Sequence, residues 1–307
     1  MKNYVLKTNS LTKNYNNNKV LSNISISLER GKIYGLIGQN GAGKTTFMRM
    51  VAGLSFPTSG TIELFEQKGE KELIQARKRI GCLIEYPSIN GNMNAKENMT
   101  LNRIMRGIPN QEIENELLEL VGLSDTGKKK AKDFSLGMKQ RLGIAISLIG
   151  DPELLILDEP INGLDPIGII EVRNLIKQLC TERNMTILIS SHILLELYQI
   201  ATDYIIIHNG SIKQTISLEQ LDEYCMRHIL INTEQTEELA SILEMELNTT
   251  NYKVMSDKSV RIYDFLDEKE KLAKVLFENG IIVTNLSVSG ENLEDYFINV
   301  VGGSSNV

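Results

Sequence analysis

Cysteine is scarce in this chain. There are three in 307 residues, Cys82, Cys180 and Cys225, and no two form a CxxC pair. An odd, scattered set excludes a disulfide framework. It fits a reducing setting, with each thiol filling a small apolar site. Long apolar runs are also lacking. The longest candidate, Leu142 to Ile149, falls far short of the roughly 18 residues that a membrane helix needs. The opening residues Met1 to Lys7 lack an apolar h-region, so no signal peptide is expected. If this protein works at a membrane, it must dock on one rather than span it. Basic excess is absent too. Lys and Arg number 33 against 39 Asp and Glu, for a net charge of −6. That balance weighs against a general nucleic-acid binder, and no nucleic-acid partner is expected. No internal repeat is visible.

What is present is ordinary globular material, 42% hydrophobic and 23% charged. The length suggests two domains. Val5–Asn9 and Ile24–Leu28 alternate apolar and polar residues, as strands with one wet face do. Ile33–Gly38, Leu154–Leu157 and Ile187–Ser190 are nearly all apolar, the pattern of parallel strands buried on both faces. Helical stretches such as Lys44–Ala52 and Gly168–Arg183 lie between them, so an α/β core is expected. The segment from about 94 to 150 is helical in pattern, with Ile113, Leu117, Leu118 and Val121 at helical spacing. It reads as a helical subdomain inserted between two core strands.

After about Ser217 the character changes. Strands are expected at His228–Asn232, Tyr252–Met255, Val260–Tyr263 and Ile281–Ser287. Helices are expected at Glu234–Met245 and Lys269–Glu278, the latter closed by Asn279-Gly280. The order βαββαβ suits a small α+β unit of ferredoxin-like type. The tail, Gly302-Gly303-Ser304-Ser305, reads as disordered.

The residues that carry chemistry begin with Gly38-Gln39-Asn40-Gly41-Ala42-Gly43-Lys44-Thr45, followed by Thr46. This is a phosphate-binding loop between a buried strand and a helix. Its glycines let successive N–H groups turn toward phosphate oxygens, and the helix N-terminus adds a favourable dipole. Lys44 would reach the β- and γ-phosphates of ATP, and the Thr45 hydroxyl would ligate Mg²⁺. Leu154–Leu157 then ends in two carboxylates, Asp158 and Glu159. Asp158 would bind Mg²⁺ through water, and Glu159 would polarise the attacking water.

With these motifs in order, residues from about 1 to 217 resemble the ATP-binding-cassette (ABC) family of nucleotide-binding subunits. Phe134-Ser135-Leu136-Gly137-Met138 resembles the family's signature loop, usually Leu-Ser-Gly-Gly-Gln. It keeps the serine and the second glycine but changes the first glycine and the glutamine. The resemblance implies that Ser135 and Gly137 contact the γ-phosphate of ATP held by an opposite subunit. Asn162-Gly163-Leu164-Asp165 has the spacing of the family's D-loop, which implies that Asp165 lies across a dimer interface. Ser190-Ser191-His192 matches the switch histidine, Tyr15 the aromatic that stacks on adenine. Glu85 stands where the family usually has a metal-ligating glutamine. A carboxylate still offers oxygen to Mg²⁺ but adds negative charge beside ATP. Lys128-Lys129-Lys130 and Lys132 read as a solvated face.

The implied fold is a P-loop ABC-type α/β core with an antiparallel β-subdomain, the helical insertion, and the C-terminal α+β domain at about 218–307. Within the family, Ile84-Glu85-Tyr86-Pro87-Ser88, the altered signature and the C-terminal extension look most like the bacitracin and lantibiotic self-protection exporters. One chain offers one P-loop and one signature. The resemblance therefore implies a head-to-tail homodimer, or a heterodimer with a similar subunit. It also implies a multi-span permease at the cytoplasmic face of the membrane, docked on the segment after Glu85 and on the helical subdomain. A cassette ATPase of translation or DNA repair is the rival reading. Those proteins carry paired cassettes or long coiled coils, and neither is seen here.

Overall fold

The computed structural model describes residues 4–16, 18–225, 227–290 and 292–302. The tail from Gly303 onward lies outside them. The chain forms two compact units, Met1–Leu218 and Glu219–Val307.

The first unit runs β1 (Tyr4–Tyr15), β2 (Asn18–Ile24), β3 (Ser27–Glu29), β4 (Ile33–Ile37), α1 (Lys44–Ala52), β5 (Ser59–Leu64), α2 (Glu70–Ala76) and β6 (Ile80–Leu83). It continues with α3 (Ala95–Met105), α4 (Glu112–Leu120), α5 (Leu136–Leu148), β7 (Leu154–Leu157), α6 (Pro166–Arg183), β8 (Thr186–Ser191), α7 (Leu194–Tyr198), β9 (Asp203–His208) and β10 (Ser211–Ser217). Strands β1, β2, β3 and β5 make an antiparallel sheet around β1. The other sheet has the order β10-β9-β4-β8-β7-β6, parallel except for the β9–β10 hairpin. Strands β4, β7 and β8 are buried at every position, as their unbroken apolar runs require. Phe47, Met48, Met50 and Val51 of α1 join Val5, Leu6, Leu21, Leu28 and Leu64 of the antiparallel sheet in one core.

One expected strand is divided. Ile24–Leu28 is not continuous, because the Thr8 hydroxyl intrudes on the ladder. It accepts from the Ile26 N–H at 3.1 Å and donates to the Ile24 carbonyl at 3.0 Å. The chain therefore passes from β2 to β3 through a break.

Helices α3, α4 and α5 fill the connection between the neighbouring parallel strands β6 and β7. Asn94 starts α3 with a capping box: its side chain accepts from the Glu97 N–H while the Glu97 carboxylate accepts from the Asn94 N–H. Inside this insertion Arg103 and Glu114 form a buried ion pair at 2.5 Å. Thr100 also donates to Glu114 at 2.7 Å, and Arg103 donates to the Ile108 carbonyl at 2.8 Å. The charges therefore have their hydrogen bonds satisfied out of water.

The second unit runs α8 (Leu218–Cys225), β11 (His228–Asn232), α9 (Thr236–Met245), β12 (Tyr252–Val254), β13 (Ser259–Ile262), α10 (Lys269–Glu278), β14 (Asn285–Ser289) and α11 (Leu293–Gly302). Its sheet has the order β12-β13-β11-β14, antiparallel throughout. Between α8 and α11, that is the strand order of a split βαβ unit. Ile229, Ile231, Val260 and Ile262 pack against Leu239, Leu243, Leu272 and Leu276. The last strand starts at Asn285, later than the expected Ile281. Ile281 belongs to the end of α10 instead. Its N–H donates to the Leu276 carbonyl and the Gly280 N–H to Phe277, with Gly280 at φ 73°, which is a Schellman closure. Ile281 is buried by that closure.

Removing one partner of the Arg103–Glu114 pair strands the other charge in the interior. Glu114→Ala should lower stability by about 3–5 kcal/mol in urea denaturation, and Arg103→Met added to it should recover most of the loss. At the N-terminal end of β7, the Arg79 hydrogen bond holds the Glu153 carboxyl below its usual value of 4.5, outweighing the opposing effect of burial, and Arg30 lowers it further. That pairing stabilises the fold above the unfolded value and is lost as pH falls through the lower folded one. Unfolding free energies of wild type and Glu153→Gln from urea titrations should differ by about 1 kcal/mol at neutral pH and converge as acid takes the pH from 4.5 down through the lower folded value.

Candidate functional site

The chemistry-bearing residues gather at the C-terminal ends of the parallel strands, where open α/β sheets place their ligands. The phosphate loop follows β4, Glu85 follows β6, Asp158 and Glu159 follow β7, and His192 follows β8.

The loop is held close to its surroundings at two glycines. A Cβ at Gly38 would lie 2.4 Å from the Ile207 carbonyl oxygen. One at Gly43 would lie 2.5 Å from Leu21 Cδ2, and the φ of Gly43 is 104°. Helix α1 begins at Lys44, so the N–H groups of its first turn have no acceptor within the helix and are available to an anion. A cavity of about 290 Å³ lies here, lined by Val20, Gln39–Thr46, Glu159 and Asn162.

Two carboxylates organise the floor. Asp158 is 3% exposed. Its Oδ2 accepts from the Thr45 hydroxyl at 2.7 Å and its Oδ1 from the Ser190 hydroxyl at 2.6 Å. Glu159 has φ 49°, a left-handed conformation that costs a non-glycine residue about 1–2 kcal/mol. Its N–H donates to Ser190 Oγ at 2.9 Å, and its carbonyl accepts from Asn162 at 3.2 Å. Held that way, its carboxylate lies between two cationic or polar groups. Oε1 is 3.2 Å from Lys44 Nζ, and Oε2 is 2.7 Å from His192 Nδ1. Lys44 itself is buried and donates to the Gly38 carbonyl at 2.6 Å. Ser191 steadies the turn that carries His192, accepting from the Ile193 N–H and donating to Glu196.

The phosphate loop, Asp158, Glu159 and His192 are thus brought together. Ser135, Gly137 and Asp165 are not among the cavity-lining residues. Ser135 caps α5, accepting from the Met138 N–H, and Asp165 caps α6, accepting from Gly168. These two helix starts pack on one another, since a Cβ at Gly163 would lie 3.3 Å from Leu136 Cδ2. Tyr15 also stands outside the lining. Its hydroxyl is 3.4 Å from Ser55 Oγ, and Lys13 Nζ sits over its ring at 4.6 Å. Glu85 is engaged away from Thr45 and Asp158, with Oε1 accepting from Arg49 Nη2 at 2.7 Å. Ser190, Asn162, Val20 and Arg49 were not singled out as site residues from the sequence. Ser190 and Asn162 have local signals, in the Ser-Ser-His run that ends a buried strand and in the Asn-Gly-Leu-Asp run after the two acids.

A family model described as ABC transporter matches residues 21–162. The bacitracin transport ATP-binding protein BcrA of Bacillus licheniformis is 43% identical over 301 residues, covering 98% of each chain. The chain belongs to the ABC transporter ATP-binding family. The lantibiotic transport ATP-binding protein SrtF of Streptococcus pyogenes is 45% identical over 74% of this chain and 98% of its own length. Among solved structures, an ATP-binding subunit of an ABC transporter matches 71% of this chain and 92% of its own with a TM-score of 0.63 at 28% identity. A dimeric cassette in a post-hydrolysis state, bound to ADP and Pi, matches at 23% identity with a TM-score of 0.63, covering 69% of this chain and 98% of that one, and shares the fold. This ABC subunit therefore binds ATP and hydrolyses it in the service of transport. No helix among its described residues is long and apolar enough to cross a membrane.

Ser190 holds both Asp158 and the Glu159 backbone from a fully buried position. Ser190→Ala should cost about 1–3 kcal/mol in denaturant unfolding. It should also lower ATP turnover in a phosphate-release assay by about tenfold, because the two carboxylates lose their common anchor.

Proposed function

We propose that this subunit drives a separate membrane permease that exports an antimicrobial peptide of the bacitracin or lantibiotic kind, protecting the cell from it. The observation that carries this reading is the identity to a bacitracin transport subunit over 98% of both chains, including the C-terminal unit. The lantibiotic transport relative supports the same class of amphiphilic peptide.

In this reading the working unit is a head-to-tail dimer, and residues from both copies close each ATP site. Lys44 and the N–H groups of the α1 first turn bind phosphate oxygens, and the N–H groups at Ser135 and Gly137 of the other copy bind the same γ-phosphate. Asp165 lies along the interface, and the ring of Tyr15 offers a face for adenine. The dimer closes when the γ-phosphate joins the two halves and opens when hydrolysis removes it. Glu159 takes a proton from water and orients it, with His192 holding the carboxylate from the far side.

The oxygen donors present fit Mg²⁺. Thr45 Oγ1 and Asp158 Oδ2 lie 2.7 Å apart at the edge of the phosphate cavity. A magnesium ion is commonly held by one or two protein oxygens, with phosphates and water completing the octahedron. When bound, it would neutralise charge on the β- and γ-phosphates. Glu85 would join this set only by leaving Arg49 or by using its second oxygen. The site of action is the cytoplasmic face of the membrane, with the segment after Glu85 and helices α3 to α5 as the docking surface. Tyr86, at 87% exposure, is available for such contact.

A strain lacking this chain should become more sensitive to bacitracin-like or lantibiotic peptides in growth-inhibition assays. Wild type should restore resistance and Glu159→Gln should not. Unchanged sensitivity, together with co-purification on ribosomes or DNA, would instead favour a cassette ATPase of translation or repair.

A further inference from the structure

We propose that Arg49 is a positioning residue for ATP hydrolysis, acting through Glu85 as the charge partner that lets a carboxylate stand at that position beside the nucleotide site. The inference rests on the ATP-site reading above and extends it to a residue outside the recognised motifs.

Arg49 lies four residues after Thr45 on α1, one helical turn further along the same face. Thr45 bonds Asp158 at the end of β7, and Arg49 bonds Glu85 just past the end of β6. Strands β6 and β7 are parallel neighbours, with Leu83 beside Leu157 and the Asp158 N–H donating to the Leu83 carbonyl at 2.9 Å. The two side-chain bonds are therefore rungs between α1 and the same pair of strand ends. Glu85 is thus bonded to α1 one turn beyond the Thr45–Asp158 rung.

The backbone there is unusual. Glu85 has φ 65°, the left-handed region that a glutamate occupies at a cost of about 1–2 kcal/mol. Such a conformation persists only where the surroundings hold it. Arg49 holds it from one side. From the other, Pro87 is seated on α5. A Cβ at Gly143 would lie 2.8 Å from Pro87 Cβ and 3.1 Å from Leu83 Cδ1, so only a glycine leaves room. The short run Glu85-Tyr86-Pro87 is thus fixed to α1 by charge and to α5 by close packing.

The charge matters because the ligand is an anion. A lone carboxylate on the neighbouring strand end repels nucleotide phosphates. Such repulsion spans from roughly fourfold in affinity per unpaired charge with water-like screening to over a hundredfold at a protein-surface dielectric, and for a half-exposed group we take about tenfold. The Arg49 guanidinium at 2.7 Å cancels most of that field without removing the carboxylate. The side chains are 41% and 49% exposed, so the pair adds little to fold stability. Its effect is on the site.

The test is a double-mutant cycle on the full chain, read as KM for MgATP and as kcat. Arg49→Gln should raise KM about tenfold in the native background, and Arg49→Lys should raise it less. In a Glu85→Gln background, Arg49→Gln should change KM less than twofold, because no charge is left to balance. Thermal midpoints should move little in all variants. An equal KM change from Arg49→Gln in both backgrounds, or no change in either, would overturn the proposal. Wild-type turnover reports separately on the ATP-site reading, so failure of that reading would show as absence of hydrolysis before any substitution.

Discussion

Asp158 divides its two carboxylate oxygens between two elements, taking the Thr45 hydroxyl on one side and the Ser190 hydroxyl on the other. Through it the first turn of α1, the end of β7 and the end of β8 are tied at one buried point. A carboxylate shut away from water at this depth would be costly if unpartnered, and both bonds are made with hydroxyl donors rather than a cation. Each carboxylate oxygen, with one hydroxyl bond made, keeps a lone pair that a metal could use. Ser190 then donates to Asp158 and accepts from the Glu159 N–H, so the catalytic candidate is placed by the same knot. Moving any one of these groups would move the others.

Around this knot the site is graded by charge. Lys44 faces Glu159 on the phosphate side and His192 faces it on the other. Arg49 offsets Glu85 further along α1. Lys44 and Arg49 thus accompany Glu159 and Glu85, which suits a pocket that must accept a polyanion in a chain whose overall charge is −6. Bulk charge and local charge answer different questions. The first weighs against nucleic acid as a general partner, and the second suits a nucleotide.

Most of the site was legible because its motifs are short and contiguous. Gly38–Thr45, Asp158-Glu159 and Ser190-Ser191-His192 each occupy a single strand end, and a buried parallel strand announces itself by an unbroken apolar run. What escaped the sequence is made by contacts far apart along the chain. Arg49 and Glu85 are 36 residues apart, and Ser190 and Asp158 are 32. The Arg103–Glu114 pair was hidden for another reason. Both charges sit in amphipathic helices, where a charge ordinarily marks the wet face, and only the packing of α3 on α4 turns them inward. The break at Ile24–Leu28 depends on one threonine hydroxyl from another strand. The late start of β14 was partly readable, since Asn279-Gly280 signalled the helix end, but the apolar Ile281-Ile282-Val283 run imitated a strand. Its first residue is spent closing α10.

The central claim is that this chain supplies half of a shared ATP site. Sedimentation of purified Glu159→Gln with saturating MgATP tests it directly, because that substitution should hold the closed state. The account predicts a dimer carrying one ATP per chain, which falls back to monomer when ADP replaces ATP. A chain that binds ATP yet stays monomeric at every concentration reached would contradict it.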